Sequence, residues 1–336
     1  MQGYKTHVQS GILLNANEAS QNVNETVKQE IIDAISNLSL NRYPDTTCHQ
    51  LHRLYAEVMN VPSSWILSGN GSDQMLGFLI QYYLQENKIL YTLSPDFSMY
   101  DYYVGLNHSK IEKYETNQDG SFDVEAFISN GKDKNVDMVL FSNPNNPTGH
   151  SITLSEMKKI SEAFKDIPVI FDEAYMEFGK ESAVCLLKEY PNVFVCRTLS
   201  KAYGLAGIRC GFMISSQVEK LSALFIPYAL SSVTQTIASV VLRHADEYKD
   251  TIATIISERE RMYQEVKEFK QLTMYPSNAN FLFGRSEKKD LLLAMFKEKN
   301  ITIRNYEDAS FRITIGTNEE NEMVLDVLRR FEYENS

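Results

Sequence analysis

Residues 137–172 read DMVLFSNPNNPTGHSITLSEMKKISEAFKDIPVIFD, and their rhythm decides the fold. The runs Asp137 to Ser142 and Val169 to Phe171 are apolar on both faces for most of their length, as strands buried inside a parallel sheet are. Between Pro147 and Pro168, Thr153-Leu154-Ser155-Glu156 forms a capping box, and Met157, Ile160 and Phe164 follow at helical spacing. Strand, helix and strand in that order make a βαβ crossover. The alternation extends outward from about residue 65 to residue 215, with further strands expected at Trp65 to Ser68, Lys88 to Leu93, Lys110 to Tyr114, Val193 to Arg197 and Gly211 to Ser215. Seven strands interleaved with helices describe an α/β fold, a mainly parallel sheet covered by helices.

After this region a long helical pattern covers Val233 to Phe269, with Glu258, Arg259, Glu260 and Arg261 on a solvated face. A strand at Asn280 to Phe283, a helix at Lys289 to Lys299, strands at Ile301 to Arg304 and Phe311 to Ile315, and a final helix opened by Thr317 and Glu320 describe a compact α+β unit. The expected organisation is an N-terminal segment 1–40 packing on the small unit, a large domain 41–260 and a small C-terminal domain 261–336.

Composition limits the function. The 336 residues carry 33 Lys and Arg against 44 Asp and Glu, a net charge of −11, and lack the basic stripe that a nucleic-acid-binding surface needs. Hydrophobic residues at 43% and charged ones at 23% match a folded globular protein and exclude disorder. Cys48, Cys185, Cys196 and Cys210 lie far apart, so neither a zinc ribbon nor a disulfide framework is expected, nor any metal site. No apolar run reaches the length of a membrane span or signal peptide, which makes a cytoplasmic protein with no membrane partner the expectation.

Chemistry gathers at the strand ends. Lys201, in Thr198-Leu199-Ser200-Lys201, follows a buried strand without an acidic helical partner, and Arg209 comes eight residues later. A lysine withdrawn from water is what Schiff-base chemistry requires. Asp172 closes the strand Val169 to Phe171 in Asp172-Glu173-Ala174-Tyr175, where a carboxylate either caps a helix or holds a proton on a heterocyclic nitrogen. Asn143-Pro144-Asn145-Asn146-Pro147-Thr148-Gly149 is a rigid turn at another strand end. Ser68-Gly69-Asn70-Gly71-Ser72-Asp73-Gln74 leads into an apolar helix at Met75 to Leu84, a geometry that offers backbone N–H groups to a phosphate. It has neither the Walker lysine nor the third glycine of a dinucleotide fingerprint, so ATP and NAD are disfavoured.

These elements, with Leu14-Asn15-Ala16-Asn17-Glu18, Asn41-Arg42-Tyr43-Pro44 and Phe311-Arg312-Ile313-Thr314-Ile315-Gly316, resemble the fold-type I aminotransferases that use pyridoxal 5'-phosphate, and among them the histidinol-phosphate aminotransferase group of histidine biosynthesis. The resemblance covers essentially the whole chain. It implies that Lys201 joins the cofactor as an aldimine and then moves a proton, that Asp172 pairs with the ring nitrogen, and that Tyr175 and Asn146 meet the ring's 3'-oxygen. Gly71, Ser72, Asp73, Ser200 and Arg209 would hold the phosphate, Phe97 would stack where the family usually has tyrosine, and Tyr43 would reach the phosphate of a neighbouring subunit in a homodimer. Arg312, Arg304 and Asn17 would meet the substrate.

The expected reaction passes an amino group between histidinol phosphate and 2-oxoglutarate, with a small-molecule amino donor and keto acceptor, a second copy of the chain in a homodimer, and no nucleic acid or membrane as partners. Two features depart from the group's pattern: Ala19-Ser20-Gln21-Asn22 stands where prolines and an aromatic often follow, and Phe97 lacks the hydroxyl. An aminotransferase for an aromatic or other amino acid and a threonine-phosphate decarboxylase-like enzyme share these motifs. A regulator using the same domain as a cofactor sensor would carry a DNA-binding module, for which the chain shows no basic helix-turn-helix pattern.

Overall fold

Strands apolar on both faces need cover on both sides, and the helices that alternate with them supply it. The computed structural model describes residues 10–335, so the first nine residues of the N-terminal segment lie outside the described ones. The chain begins with β1 (Ile12–Leu14), α1 (Glu25–Ser36), α2 (His49–Met59), β2 (Ile66–Asn70), α3 (Gly71–Tyr83), β3 (Ile89–Ser94), α4 (Met99–Leu106), β4 (Lys110–Glu115), α5 (Val124–Asp133), β5 (Met138–Ser142) and α6 (Leu154–Ala163). It continues through β6 (Val169–Asp172), β7 (Val193–Thr198), β8 (Cys210–Ile214), α7 (Val218–Ser222), α8 (Ser232–Arg243), α9 (Tyr248–Val266), β9 (Thr273–Tyr275), β10 (Phe281–Arg285), α10 (Lys289–Glu298), β11 (Ile301–Asn305), β12 (Ser310–Thr314) and α11 (Asn318–Asn335).

Seven strands form one sheet in the order β2-β8-β7-β6-β5-β3-β4, with β8 antiparallel to both its neighbours and every other pairing parallel. The strand period of two divides its side chains between two apolar layers. Met138 and Leu140 of β5 enter the layer of α3 and α4, and Val139 and Phe141 enter the opposite one. In β6, Ile170 faces away from Val169 and Phe171; in β7, Phe194 and Cys196 face away from Val193 and Val195. Each such side chain contributes about 1.5–3 kcal/mol relative to exposure, and in β5, β6 and β7 the polar residues stand at the carboxyl ends. The capping box at Thr153 and Glu156 opens α6.

A second sheet has the order β1-β11-β12-β10-β9, antiparallel except where β1 pairs with β11, and α9, α10 and α11 pack around it. Residue 260 falls inside α9, which also rests on the 3-10 turn Met176–Phe178 beyond β6, so one helix belongs to both units. The N-terminal segment divides: β1 joins the small sheet, whereas α1 lies against α8. Of the cysteines, Cys48, Cys196 and Cys210 are buried, Cys185 is exposed and all four thiols are free.

Two local expectations change. The helical rhythm from Val233 to Phe269 is two helices, α8 and α9, separated by the 3-10 turn Ala245–Glu247. Neither glycine nor proline marks the break; the His244 ring makes it, bridging Glu30 of α1 at 3.0 Å and Glu247 at 2.6 Å. The bend lets α8 lie on α1 and α2 while α9 covers the small sheet. Helix α3 begins at Gly71 rather than at Met75, and the Asn70 N–H before it donates to Gln74 Oε1 at 2.6 Å.

A Cβ at Gly211 would lie 2.1 Å from the Ser72 nitrogen and 2.2 Å from the Gly71 carbonyl carbon, so β8 packs directly on the first turn of α3. Gly211→Ala is expected to lower the unfolding free energy by about 1–3 kcal/mol in urea titrations. A variant as stable as the parent would show that strand and turn separate without cost.

Candidate active site

Every strand of the large sheet except β8 presents its carboxyl end to one edge, the side on which α/β sheets bind ligands. There β6 delivers Asp172, β5 runs into Asn143 and the following turn, β2 runs into Gly71, β3 into Phe97 and β7 into Lys201. Strand β8 starts at the same edge, immediately after Arg209.

Asp172 is 3% exposed. Its Oδ2 accepts the Tyr100 hydroxyl at 2.9 Å, while Oδ1 is buried without a hydrogen-bond partner among the described residues. Burial pushes the carboxyl up to about 7. Lys201 donates to the Ala16 carbonyl at 2.9 Å and stands 5.7 Å from the centre of the Tyr175 ring. Burial, aided by repulsion from the Arg312 guanidinium, brings its amine down to about 8. Both groups are drawn toward their neutral forms, an acceptor and a nucleophile in one crevice.

Tyr175 OH accepts from Asn17 Nδ2 at 2.9 Å. Asn17 is fully buried, in the left-handed region at φ 55°, which asparagine tolerates. Its N–H donates to Thr314 Oγ1 at 3.0 Å, its Oδ1 accepts from the same hydroxyl at 3.1 Å, and its carbonyl accepts from Asn280 Nδ2 at 3.2 Å. One residue thereby joins the edge of the large sheet to the small one. Arg312 donates to Asn146 Oδ1 and, at 3.0 Å, to the Asn15 carbonyl; it lies over Phe281 at 5.0 Å, and its Nε is buried and unmatched among the described residues. Arg304 stands opposite Arg312 in the β11–β12 register, its guanidinium 5.8 Å from the centre of the Tyr306 ring.

At the start of α3, Arg209 donates to Asp73 Oδ2 at 2.8 Å and to Ser200 Oγ at 3.3 Å. The Gly71 N–H is engaged by the Arg209 carbonyl at 3.0 Å, and a Cβ on Gly71 would lie 2.6 Å from Arg209 Nη2. Gly71 therefore contributes room rather than a donor, and the free amides of this turn belong to Ser72 and Asp73. Phe97 packs edge-on against Tyr100, 5.7 Å between centres. Tyr43 stands outside this group, 81% exposed and stacked on Tyr228 at 4.6 Å.

The arrangement suits a heterocycle with a protonated ring nitrogen, for which Asp172 Oδ1 is an unmatched acceptor, and a phosphate arm, for which Arg209, Ser200 and the first turn of α3 supply donors. Tyr100, Ser142, Asp96, Asn15 and Thr314 also belong to it and escaped the sequence reading. Asn15 and Thr314 lie within the motifs Leu14 to Glu18 and Phe311 to Gly316 without a role of their own, and Tyr100 stands three residues after Phe97 at the start of a helix.

The family model for aminotransferase class I and II matches residues 9–328. The chain belongs to that family. It is 33% identical to the histidinol-phosphate aminotransferase of Clostridium kluyveri, over 95% of this chain and 92% of that one. The Pyrococcus furiosus histidinol-phosphate aminotransferase is 34% identical over the same shares, 95% and 92%. Among solved structures, histidinol-phosphate aminotransferase from Sinorhizobium meliloti in complex with pyridoxal 5'-phosphate superposes with a TM-score of 0.85 at 22% identity, over 96% of this chain and 91% of that one. The seven-stranded sheet with its smaller α+β unit is the fold-type I architecture of these aminotransferases, as expected from the motifs.

In the cofactor-free aminotransferase, labelling of Lys201 by an amine-directed reagent, followed by peptide mass spectrometry, is expected to rise with pH to a midpoint near 8. A folded-state value below the ordinary 10.5 also means that the unfolded chain binds the extra proton between those limits, so this lysine's contribution to stability rises as pH increases through that window. A labelling midpoint near 10.5 contradicts the downward shift.

Proposed function

We propose that this aminotransferase uses pyridoxal 5'-phosphate to pass an amino group between histidinol phosphate and 2-oxoglutarate. The cofactor reading is carried by one observation: a buried acceptor, Asp172 Oδ1, and a lysine with its amine near 8 share a crevice with a phosphate cradle. The substrate reading is supported by curated relatives at 33–34% identity over 95% of the chain.

When bound, pyridoxal phosphate supplies an electron sink for negative charge developing at the substrate's Cα. Asp172 holds the proton on the ring nitrogen, its Oδ2 kept in place by Tyr100. Tyr175 and Asn146 offer an O–H and an N–H to the ring oxygen, and Phe97 covers one ring face. Lys201, partly neutral near physiological pH, would hold the cofactor and would take and return the proton at Cα. Arg209, Ser200 and the Ser72 and Asp73 amides hold the phosphate, while the Asp73 carboxylate faces Arg209. Arg312 takes the substrate's anionic group, with its unmatched Nε as an additional donor, and Arg304 is the second cation. Asn17 closes the wall on the small-sheet side.

The active form in this reading is a cytoplasmic homodimer in which Tyr43 reaches the phosphate of the neighbouring subunit. The 81% exposure of Tyr43 in the single chain supports that role, since it leaves the ring available to a second copy. No helix among the described residues is long and apolar enough to cross a membrane.

A half-reaction screen tests the proposal. Cofactor-loaded protein is mixed with histidinol phosphate, glutamate, an aromatic amino acid or phosphothreonine while the visible band and carbon dioxide are followed. Loss of the visible band with histidinol phosphate and with glutamate is expected; carbon dioxide release from phosphothreonine would instead make it a decarboxylase, and a response restricted to aromatic amino acids would reassign the substrate. Arg312→Lys, which gives up paired guanidinium hydrogen bonds, is expected to raise KM about tenfold or more with kcat less affected.

A further inference from the structure

Asp96 follows β3 and is a buried carboxyl at the sheet edge without a role in the chemistry above. Its Oδ1 accepts the Phe97 N–H at 2.7 Å and its Oδ2 accepts the Ser142 N–H at 3.1 Å. The Ser142 hydroxyl also bonds Oδ1, and Ser142 Oγ accepts the Asn146 N–H at 2.8 Å. Ser142 is in register with Asp172 across the β5–β6 pair, so this group lies beside the proposed ring-nitrogen site. From one carboxyl, an unbroken chain of contacts reaches Phe97 on one side and, through Ser142 and Asn146, Arg312 on the other.

Given pyridoxal phosphate in the crevice, as proposed above, we infer that Asp96 is a positioning residue that sets the stacking ring of Phe97 and the amide of Asn146 together. Both backbone N–H groups facing it are obligate donors, so both of its side-chain oxygens must accept. Burial lifts the carboxyl to about 8, yet in either protonation state each oxygen keeps a lone pair for its N–H. An amide in its place cannot do this: asparagine turns an NH2 toward one of the two N–H groups, donor against donor. Serine or threonine at the same position lacks the second oxygen. The geometry therefore selects aspartate by the polarity of its neighbours, and a shift of either N–H displaces a group that contacts cofactor or substrate.

The test compares the wild-type holoenzyme with D96N, S142A and S142T. Three quantities are measured: the dissociation constant of pyridoxal phosphate from titration of cofactor-free protein, the visible circular-dichroism band of the bound cofactor, and KM against kcat for the amino donor. D96N is expected to weaken cofactor binding about tenfold, to diminish the dichroic band and to raise KM. S142A, which removes the hydroxyl's bonds to Asp96 and to the Asn146 N–H but keeps the Ser142 N–H on Asp96 Oδ2, is expected to raise KM about fivefold while leaving the dichroic band in place, and S142T, which restores the hydroxyl, to return KM to the wild-type value. D96N with cofactor affinity, dichroism and KM all within about twofold of wild type overturns the inference even if its melting temperature falls. Should D96N fail to fold, equal KM values for S142A and S142T overturn it. A wild-type protein that takes up no pyridoxal phosphate overturns the cofactor reading first, and the inference with it.

Discussion

The buried ion pair between Glu173 and Arg197 governs the geometry of the site. Their charged atoms are 2.7 Å apart, with side chains 0% and 5% exposed, between the ends of β6 and β7. Arg197 also reaches Glu177 at 3.0 Å and Ser182 at 3.0 Å, and Glu173 accepts the Ala183 N–H at 2.6 Å. Withdrawing two charges from water costs several kcal/mol each, and these hydrogen bonds offset that cost. Glu173 directly follows Asp172, and Arg197 lies four residues before Lys201. The pair ties the two strand ends together, so the separation of acid and lysine is set by packed scaffold rather than by loops.

From that anchor the electrostatics follow without extra machinery. Burial moves Asp172 up and Lys201 down because both charged forms lose water, and Arg312 pushes the lysine further in the same direction. A chain of net charge −11 thereby gathers Lys201, Arg209 and Arg312 at one edge, where Asp73 engages Arg209 and Asp172 lies behind them. The overall acidity and the local positive field are compatible because the acidic surplus sits elsewhere, much of it on exposed helix faces such as those of α9 and α11.

Much of this was legible in the residue order. The apolar runs of β5, β6 and β7 identify the sheet, and Asp172 and Lys201 show themselves because a polar residue at the end of a run buried on both faces needs a reason. What stayed hidden depends on convergence in space. Tyr100 reads as one more aromatic on a short apolar helix until its hydroxyl is seen on Asp172. Asp96 and Ser142 are 46 residues apart, and neither has a local pattern that announces the other. The division of α8 from α9 was invisible because a histidine between two glutamates, rather than a glycine or proline, turns the chain. Gly71 was assigned as a donor because glycine-rich turns usually expose their amides, whereas here its N–H closes on Arg209.

The pairing of β1 with β11 has a consequence in time as well as in space. Ile12 lies opposite Ile301, and Asn17 takes its place only against Thr314. A chain emerging from the ribosome presents Asn17 297 residues before Thr314, so the wall that holds Tyr175 cannot close until β12 has been made. The large sheet can assemble earlier, from β2 to β8, but its reactive edge stays open until β12 arrives. Built this way, the fold makes completion of the active-site wall wait for β11 and β12, long after every strand of the large sheet has been made.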